Sequence, residues 1–81
     1  MEHELKILPE YFEAVLDGVK TFELRRDDRN FQVGEGIELK EFDGEKYTGR
    51  EVPVEIVYKL DGGNFGLEKG YCILGIKIRW E

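Results

Sequence analysis

Hydrophobic and polar residues alternate along most of this chain, and the exception lies near its start. There, four apolar residues recur at the spacing of one helix face: Tyr11, Phe12, Val15 and Leu16. Pro9 suits the first turn of a helix, where its missing N–H is not needed, and Gly18 suits the C-terminal cap. The pattern therefore predicts one short helix that Gly18 ends.

Elsewhere, alternation with period two predicts five strands, at residues 3–8, 20–26, 37–42, 48–60 and 71–80. Glycine-containing turns separate them, and Asp43-Gly44 is a strong hairpin signal. In the fourth strand, one face is expected to hold Val52, Val54, Ile56 and Tyr58. Pro53 lacks a backbone donor, which indicates an edge position or a bulge.

Several short strands joined by glycine turns are typical of a small barrel or a rolled sheet. The chain has 81 residues without a linker or repeat, so we interpret residues 1–81 as a single domain. We expect an α+β fold that is mostly β, in which the one helix covers an open end of the barrel.

Composition limits the function. The net charge of −6 argues against a broad phosphate-binding face. A single cysteine, Cys72, excludes an internal disulfide, and with the single histidine, His3, it argues against a metal site. The sequence has no apolar run of membrane-spanning length and no Walker-type phosphate loop. Its first ten residues are acidic and lack an apolar stretch, so we expect no signal peptide. We expect a cytoplasmic protein without a membrane segment, metal or cofactor.

The candidate site lies where the chain leaves the helix. Alternation places Glu23 and Arg25 on one strand face, with Thr21, and Phe22 and Leu24 on the other, with Lys20. A carboxylate and a guanidinium two positions apart on one face can pair, or can read a ligand together. Lys20 precedes the strand, where a loop can direct it to the same place.

Further positive charge follows, at Arg26 and Arg29, although neighbouring acids dilute it. The alternative interpretation of this segment is a solvated surface held by salt bridges. Two candidates lie elsewhere: Arg50, beside a Thr-Gly turn, as a phosphate contact, and Phe65, in a glycine-rich loop, as a base-stacking residue. For Phe65 we favour the interpretation that it anchors its loop to the core.

The run Gly18-x-Lys20-x-x-Glu23-x-Arg25 resembles the G-x-K-x-x-E-x-R signature of ASCH domains, which belong to the PUA-like superfamily of small β-barrels. Later segments resemble a branch of small ASCH-related domains from bacteria and phages. They include residues 3–7, 31–35, 47–50, 60–67 and 70–75. The resemblance implies a PUA-like rolled barrel and binding of RNA or a nucleotide.

Some small ASCH proteins resemble amidohydrolases that remove an acyl group from a modified cytidine with a Lys, a Thr and a distant Glu. Lys20 matches that Lys, but Glu23 takes the position of the Thr, and Thr21 is displaced from it. A Ser-His-Asp triad is excluded because the chain has no serine.

We therefore favour a binding module over an enzyme, with RNA or a nucleotide as partner. Its expected contacts are Lys20, Glu23, Arg25, Arg26, Arg50 and Phe65. The alternative is an amidohydrolase acting on an acylated or otherwise modified nucleoside, in which Lys20 and Glu23 are catalytic.

Overall fold

Six elements follow one another in the computed structural model, which describes residues 1–80. They are β1 (His3–Ile7), α1 (Pro9–Leu16), β2 (Phe22–Arg26), β3 (Gly36–Phe42), β4 (Tyr47–Asp61) and β5 (Tyr71–Ile78). The strands form one sheet in the order β1-β3-β4-β5-β2, in which only the β1–β3 pair is parallel. The sheet curls into a half-barrel whose two edges are β1 and β2. The prediction of a mostly β fold with one short helix is confirmed.

Helix α1 ends in a turn that sets the start of β2. Gly18 has φ +77°, its N–H donates to the carbonyl of Val15 at 3.0 Å, and the N–H of Val19 donates to Ala14 at 3.1 Å. These two bonds form a Schellman motif, for which glycine is favoured because it tolerates a positive φ. The predicted cap is therefore present, and it directs Lys20 back towards the helix.

The core lies inside the curl and is apolar apart from its margins. Phe12 and Val15 enter it from α1, and the strands and one loop contribute the other buried apolar side chains, namely Leu5, Ile7, Phe31, Ile37, Leu39, Val52, Val54, Ile56, Cys72, Leu74 and Ile76. Burial raises the pKa of the Cys72 thiol, so this cysteine is a small buried hydrophobe, as its place in the alternation indicates.

The prediction that Pro53 lies at an edge or a bulge is wrong, because β4 lies between β3 and β5 and Pro53 pairs in regular register with Glu38. Regular pairing of β4 with β5 ends at Val54 and Ile78, and the next contact is the N–H of Arg79 donating to the carbonyl of Pro53 at 2.9 Å. In an antiparallel strand the nitrogen and carbonyl of one residue face the same neighbour. The nitrogen of Pro53, which carries no hydrogen, therefore faces β5 at a point where regular pairing has already ended, so no hydrogen bond of the regular ladder is lost.

A bulge at Val57 corrects the expected faces of β4. Ile56 lies opposite Ile76 and Tyr58 lies opposite Gly75, so Val57 is an extra residue on β4. Beyond the bulge Tyr58 points outward and is 65% exposed, whereas Lys59 turns inward. The expectation that Tyr58 shares the face of Val52, Val54 and Ile56 is therefore wrong.

Within residues 1–80, the helix is too short and too polar to cross a membrane.

Candidate functional site

The two edge strands of the half-barrel are bridged by arginine side chains. Arg25 of β2 donates from Nη2 to the carbonyl of Lys6 at 2.6 Å, and Arg29 donates from Nη1 to the carbonyl of Glu4 at 2.7 Å. Both carbonyls belong to β1, whose outer edge has no neighbouring strand. The guanidinium groups therefore satisfy backbone acceptors that a closed barrel would pair with a strand.

A cleft of about 450 Å³ opens between β2 and the junction of β1 with α1. Its lining combines aromatic and aliphatic walls with a few polar groups: Lys6, Ile7, Leu8, Tyr11, Lys20, Phe22, Glu23, Leu24 and Arg25. Such a lining, largely apolar with convergent polar groups, is typical of a small-molecule site. The side chain of Lys6 points away from the cleft, since its ammonium lies 4.5 Å from the centre of the Phe42 ring, which is not part of the lining. Lys6 therefore lines the cleft with its backbone.

Glu23 is the buried acid of this cleft, with only 4% of its surface exposed. Lys20 Nζ contacts its Oε1, while Arg25 reaches its Oε2 from Nε at 3.0 Å and from Nη2 at 2.8 Å. A buried carboxylate is tolerated when cations and hydrogen bonds compensate for its lost hydration. Lys20, Glu23 and Arg25 thus form one unit, which we call the charged triad.

The structure brings Lys20 to the cleft by a route that alternation does not describe. β2 begins at Phe22, so Lys20 precedes the strand and belongs to neither of its faces. Its ammonium donates to the carbonyl of Phe22 at 2.7 Å and lies 5.0 Å from the Phe22 ring centre and 5.9 Å from that of Tyr11. The predicted opposition of Lys20 to Glu23 is therefore wrong, and the loop-directed alternative is correct.

The charged triad has two cations and one carboxylate, so the cleft carries a positive excess within an acidic chain. Tyr11, Phe22 and Leu24 are all exposed beside it and provide flat apolar surface. This arrangement suits a ligand with a planar ring and an anionic group. The described lining contains no hydroxyl or thiol nucleophile other than the Tyr11 phenol, and Thr21 lines a separate cavity of about 250 Å³.

Arg26 and Arg50 lie outside the cleft lining. Arg26 points to the outer face of β2, where Nη2 donates to the hydroxyl of Tyr71 at 3.3 Å. Arg50 donates to both oxygens of Glu41, at 2.9 and 3.0 Å, and also contacts Glu13. These bonds hold the pKa of the Glu41 carboxyl below its usual value and commit Arg50 to joining α1, β3 and β4.

Phe65 does not anchor its loop, because 89% of its surface is exposed. It has φ +56°, a conformation that is uncommon for a bulky residue, and it lies in the connection between β4 and β5. The interpretation that Phe65 packs on the core is wrong. Its role as a binding residue stays a prediction.

The apolar walls of the cleft were missed from the sequence. Tyr11 was assigned to the buried stripe of the helix, although it is exposed. Phe22 and Leu24 alternate with two charged residues, Glu23 and Arg25, and this alternation was the signal in the sequence that one face of the strand is apolar. A strand whose charged face points inward leaves its apolar face outside, which is unusual for a soluble protein.

Two comparisons relate the chain to known proteins. A family described as a domain of unknown function, DUF3850, matches residues 2–76. The chain is also similar to an "Uncharacterized 12.9 kDa protein in GpA 3'region" of Escherichia phage P2, with 41% identity over 59 residues, which are 73% of this chain and 54% of the phage protein. The matched part thus spans about half the length of that relative. Because the family match runs through β1, α1, the charged triad and most of β5, this chain belongs to the DUF3850 family.

Proposed function

We propose that this domain binds RNA or a nucleotide, and that one nucleotide occupies the cleft. The observation that carries the proposal is the placement of the charged triad. A buried carboxylate holds a lysine and an arginine at the floor of a cleft whose walls are aromatic and aliphatic. A nucleotide offers the matching chemistry, since it joins an anionic phosphate to a flat base.

Arg25 and Lys20 are the groups that meet the phosphate. Among residues 1–80, the hydrogen bonds of Arg25 use Nε and Nη2, which leaves the Nη1 end for a ligand. Both oxygens of Glu23 are engaged, so Glu23 orients the two cations rather than accepting a base amino group. An arginine held in this way loses little freedom on binding an anion.

Tyr11 and Phe22 supply the surface on which a base stacks. Both rings are exposed, and the ammonium of Lys20 lies within 6 Å of both ring centres. Stacking on aromatic side chains and contact with a nearby cation are how proteins hold unpaired bases.

The overall charge limits the size of the binding site and its affinity for RNA. With a net charge of −6, the chain repels a long phosphate backbone except close to local cations. We infer a small footprint and modest affinity that weakens with salt. RNA and free nucleotides are abundant in the cytoplasm, which is the location proposed for this domain.

The resemblance of the Gly18-x-Lys20-x-x-Glu23-x-Arg25 run to ASCH domains of the PUA-like superfamily supports the same function. That relationship stays a prediction. The curled half-barrel with one short helix is compatible with it at the level of architecture.

The test is a titration of the protein with the four ribonucleoside 5′-monophosphates at low salt, followed by NMR chemical shifts. We expect saturable shifts at residues of the cleft, and a loss of affinity in Tyr11→Ala. Tyr47→Ala is the matched control, since Tyr47 is similarly exposed but does not line the cleft. Absence of shifts near the charged triad at millimolar ligand would overturn the proposal.

One observation favours an amidohydrolase as the second candidate. The Lys20 side chain is only 16% exposed and its amine contacts Glu23. Such a pair can transfer protons to or from a substrate bound in the cleft. In such a reaction water adds to the acyl carbonyl, the C–N bond breaks, and the products are a carboxylic acid and the free amine of the nucleoside. Release of acid from an acylated cytidine, lost in Lys20→Ala, would establish it.

A further inference from the structure

The outer face of strands β4, β5 and β2 carries an exposed apolar surface arranged in cross-strand rows. One row is Phe22, Gly75 and Tyr58, and the next is Leu24, Ile73 and Leu60. We call these six residues the outer platform. Phe22, Leu24 and Tyr58 are among its exposed members, and α1 packs against β3 instead of covering it.

Two features of the backbone build this platform. The bulge at Val57 turns Tyr58 outward, and bulges commonly redirect a side chain in this way. Gly75 lies between Phe22 and Tyr58 in the first row. Its φ is not positive, so its backbone conformation does not require glycine. A Cβ there would lie 3.3 Å from that of Tyr58. Glycine in a strand interior often marks a close approach by another group.

The charges beside the platform favour an anionic occupant. Arg26 lies at one end of the β2–β5 pair and Lys77 just beyond the other end, both on the outer face. Glu55 lies opposite Lys77 on β4, but its carboxylate pairs with Arg79 at 2.6 Å. Within residues 1–80, neither has a carboxylate within 4 Å, and Arg26 instead donates to the hydroxyl of Tyr71 with its guanidinium 5.4 Å from that ring centre. A contact between two copies through this face would bring Arg26 and Lys77 of both copies into one interface, so charge disfavours a second copy.

We propose that the outer platform stacks the bases of single-stranded RNA that continues from the cleft, while Arg26 and Lys77 contact its phosphates. Phe22 and Leu24 line the cleft and also belong to the platform, so the two surfaces are continuous. The inference rests on the proposed function, because the strand is assumed to leave a nucleotide bound in the cleft. Stacking on a sheet face tolerates any base, since every base has a flat π-surface.

The experiment compares a ribonucleoside 5′-monophosphate with a hexauridylate on the wild type, Tyr58→Ala and Tyr47→Ala. The hexamer is expected to bind the wild type more tightly than the monophosphate. Tyr58→Ala should lose roughly 5- to 150-fold of the hexamer affinity, the range expected for one stacked base, and none of the monophosphate affinity. Tyr47→Ala, which removes an exposed tyrosine from the far end of β4, should change neither.

Salt provides a second measurement. Arg26 and Lys77 would each neutralise one phosphate and so release one counterion from the RNA. The slope of log K against log salt should therefore be steeper for the hexamer than for the monophosphate by about 1.4. Lys77→Gln should reduce that difference by half.

The outcomes separate this inference from the proposed function. If the monophosphate binds in the cleft but the hexamer binds no tighter, or Tyr58→Ala has no effect, the platform is refuted and the cleft stands. If the hexamer depends on Tyr58 while the monophosphate does not bind, the cleft proposal fails, and the inference is refuted in its claim that the RNA continues from the cleft, although stacking on the platform stands. Binding of neither refutes both. Dimerisation that Tyr58→Ala abolishes, measured by sedimentation, would show that a second copy covers the platform and would overturn the inference.

Discussion

Arg25 holds Glu23 by two hydrogen bonds, from Nε at 3.0 Å and from Nη2 at 2.8 Å, on the face of an edge strand. The same Nη2 reaches the carbonyl of Lys6 on the opposite edge of the sheet. One guanidinium therefore orders the acid of the candidate site and bridges the open side of the half-barrel. If the proposed ligand binds in the cleft, its binding and the stability of the fold are coupled at this residue.

Removing the acid should destabilise the protein strongly. In Glu23→Ala, Lys20 and Arg25 lose the carboxylate that they share. Their two positive charges would then repel each other at the partly buried floor of the cleft. We expect a loss of about 3 kcal/mol in the free energy of unfolding, the lower end for breaking a buried ion pair, because both cations retain some exposure. Urea denaturation provides the measurement.

The control for that experiment is Glu55→Ala. Glu55 also pairs with an arginine, Arg79, at 2.6 Å, but both side chains are at least a third exposed. Pairs of that kind contribute about 1 kcal/mol or less. Equal losses in the two variants would contradict the view that Glu23 is held as a buried, compensated charge.

Neighbouring arginines on β2 provide a matched test of the cleft. Arg25 lines it, whereas Arg26 is the next residue and faces outward. We expect Arg25→Ala to weaken monophosphate binding at least tenfold, because a charge-assisted contact is lost, and Arg26→Ala to leave it unchanged. Isothermal titration calorimetry measures both affinities. Equal effects would mean that only the general positive charge of the strand matters.

Arg25→Ala also removes the bond to Lys6, so its folding has to be checked separately. Arg25→Lys keeps the charge but not the planar fork, and is expected to bind with intermediate affinity. If Arg25→Lys binds as well as the wild type, the orientation imposed by Glu23 contributes nothing to recognition.

Acid should weaken the junction between α1, β3 and β4. Hydrogen bonds from Arg50 and then Thr48 hold the pKa of Glu41 below its ordinary value of 4.5. A carboxyl with a lowered folded-state pKa stabilises the fold above its unfolded pKa, and this stabilisation disappears as pH falls through the folded value. Glu41→Gln should therefore be less stable than the wild type at pH 7.

That difference should narrow as the pH falls below about 4.5, because the wild type then loses the charge that the variant lacks. Urea denaturation series at pH 7, 5, 4 and 3 measure it. A gap between the two proteins that stays constant across this range would show that Glu41 acts through its shape and not through its charge.

The helix, the strands and the grouping of the charged triad were predictable because they rest on local patterns. Pro9, the apolar stripe and Gly18 define α1 within a few residues, and alternation separates Glu23 and Arg25 from Phe22 and Leu24. What alternation cannot decide is which face of β2 points inward. Charged residues are rarely buried, and the partners of Glu23 are local. The burial of Glu23 follows from the pairing of β2 with the distant strand β5, which local patterns do not specify.

The errors at Tyr58 and Pro53 share one cause, which is that pairing between distant strands overrides local signals. Nothing around Val57 distinguishes it from an ordinary strand residue, yet one extra residue there reverses the faces of Tyr58 and Lys59. Pro53 is tolerated in a central strand because β5 ends opposite it. Phe65 looks like a core residue by its chemistry alone, and its exposure follows from a loop conformation that the sequence does not specify.

The turn at Gly18 offers a last test, because it connects the end of the helix to the position of Lys20. Gly18 has φ +77° and a Cβ would meet no atom within 4 Å, so Gly18→Ala introduces backbone strain without a steric clash. We expect a cost of about 1 kcal/mol in the free energy of unfolding and weaker monophosphate binding, since the turn directs Lys20 towards Glu23. Gly18→Asn should cost less, because asparagine adopts this conformation more readily than alanine. If Gly18→Ala lowers stability as expected but binds the monophosphate as tightly as the wild type, the turn absorbs the strain without moving Lys20, and the predicted link between this turn and binding is wrong.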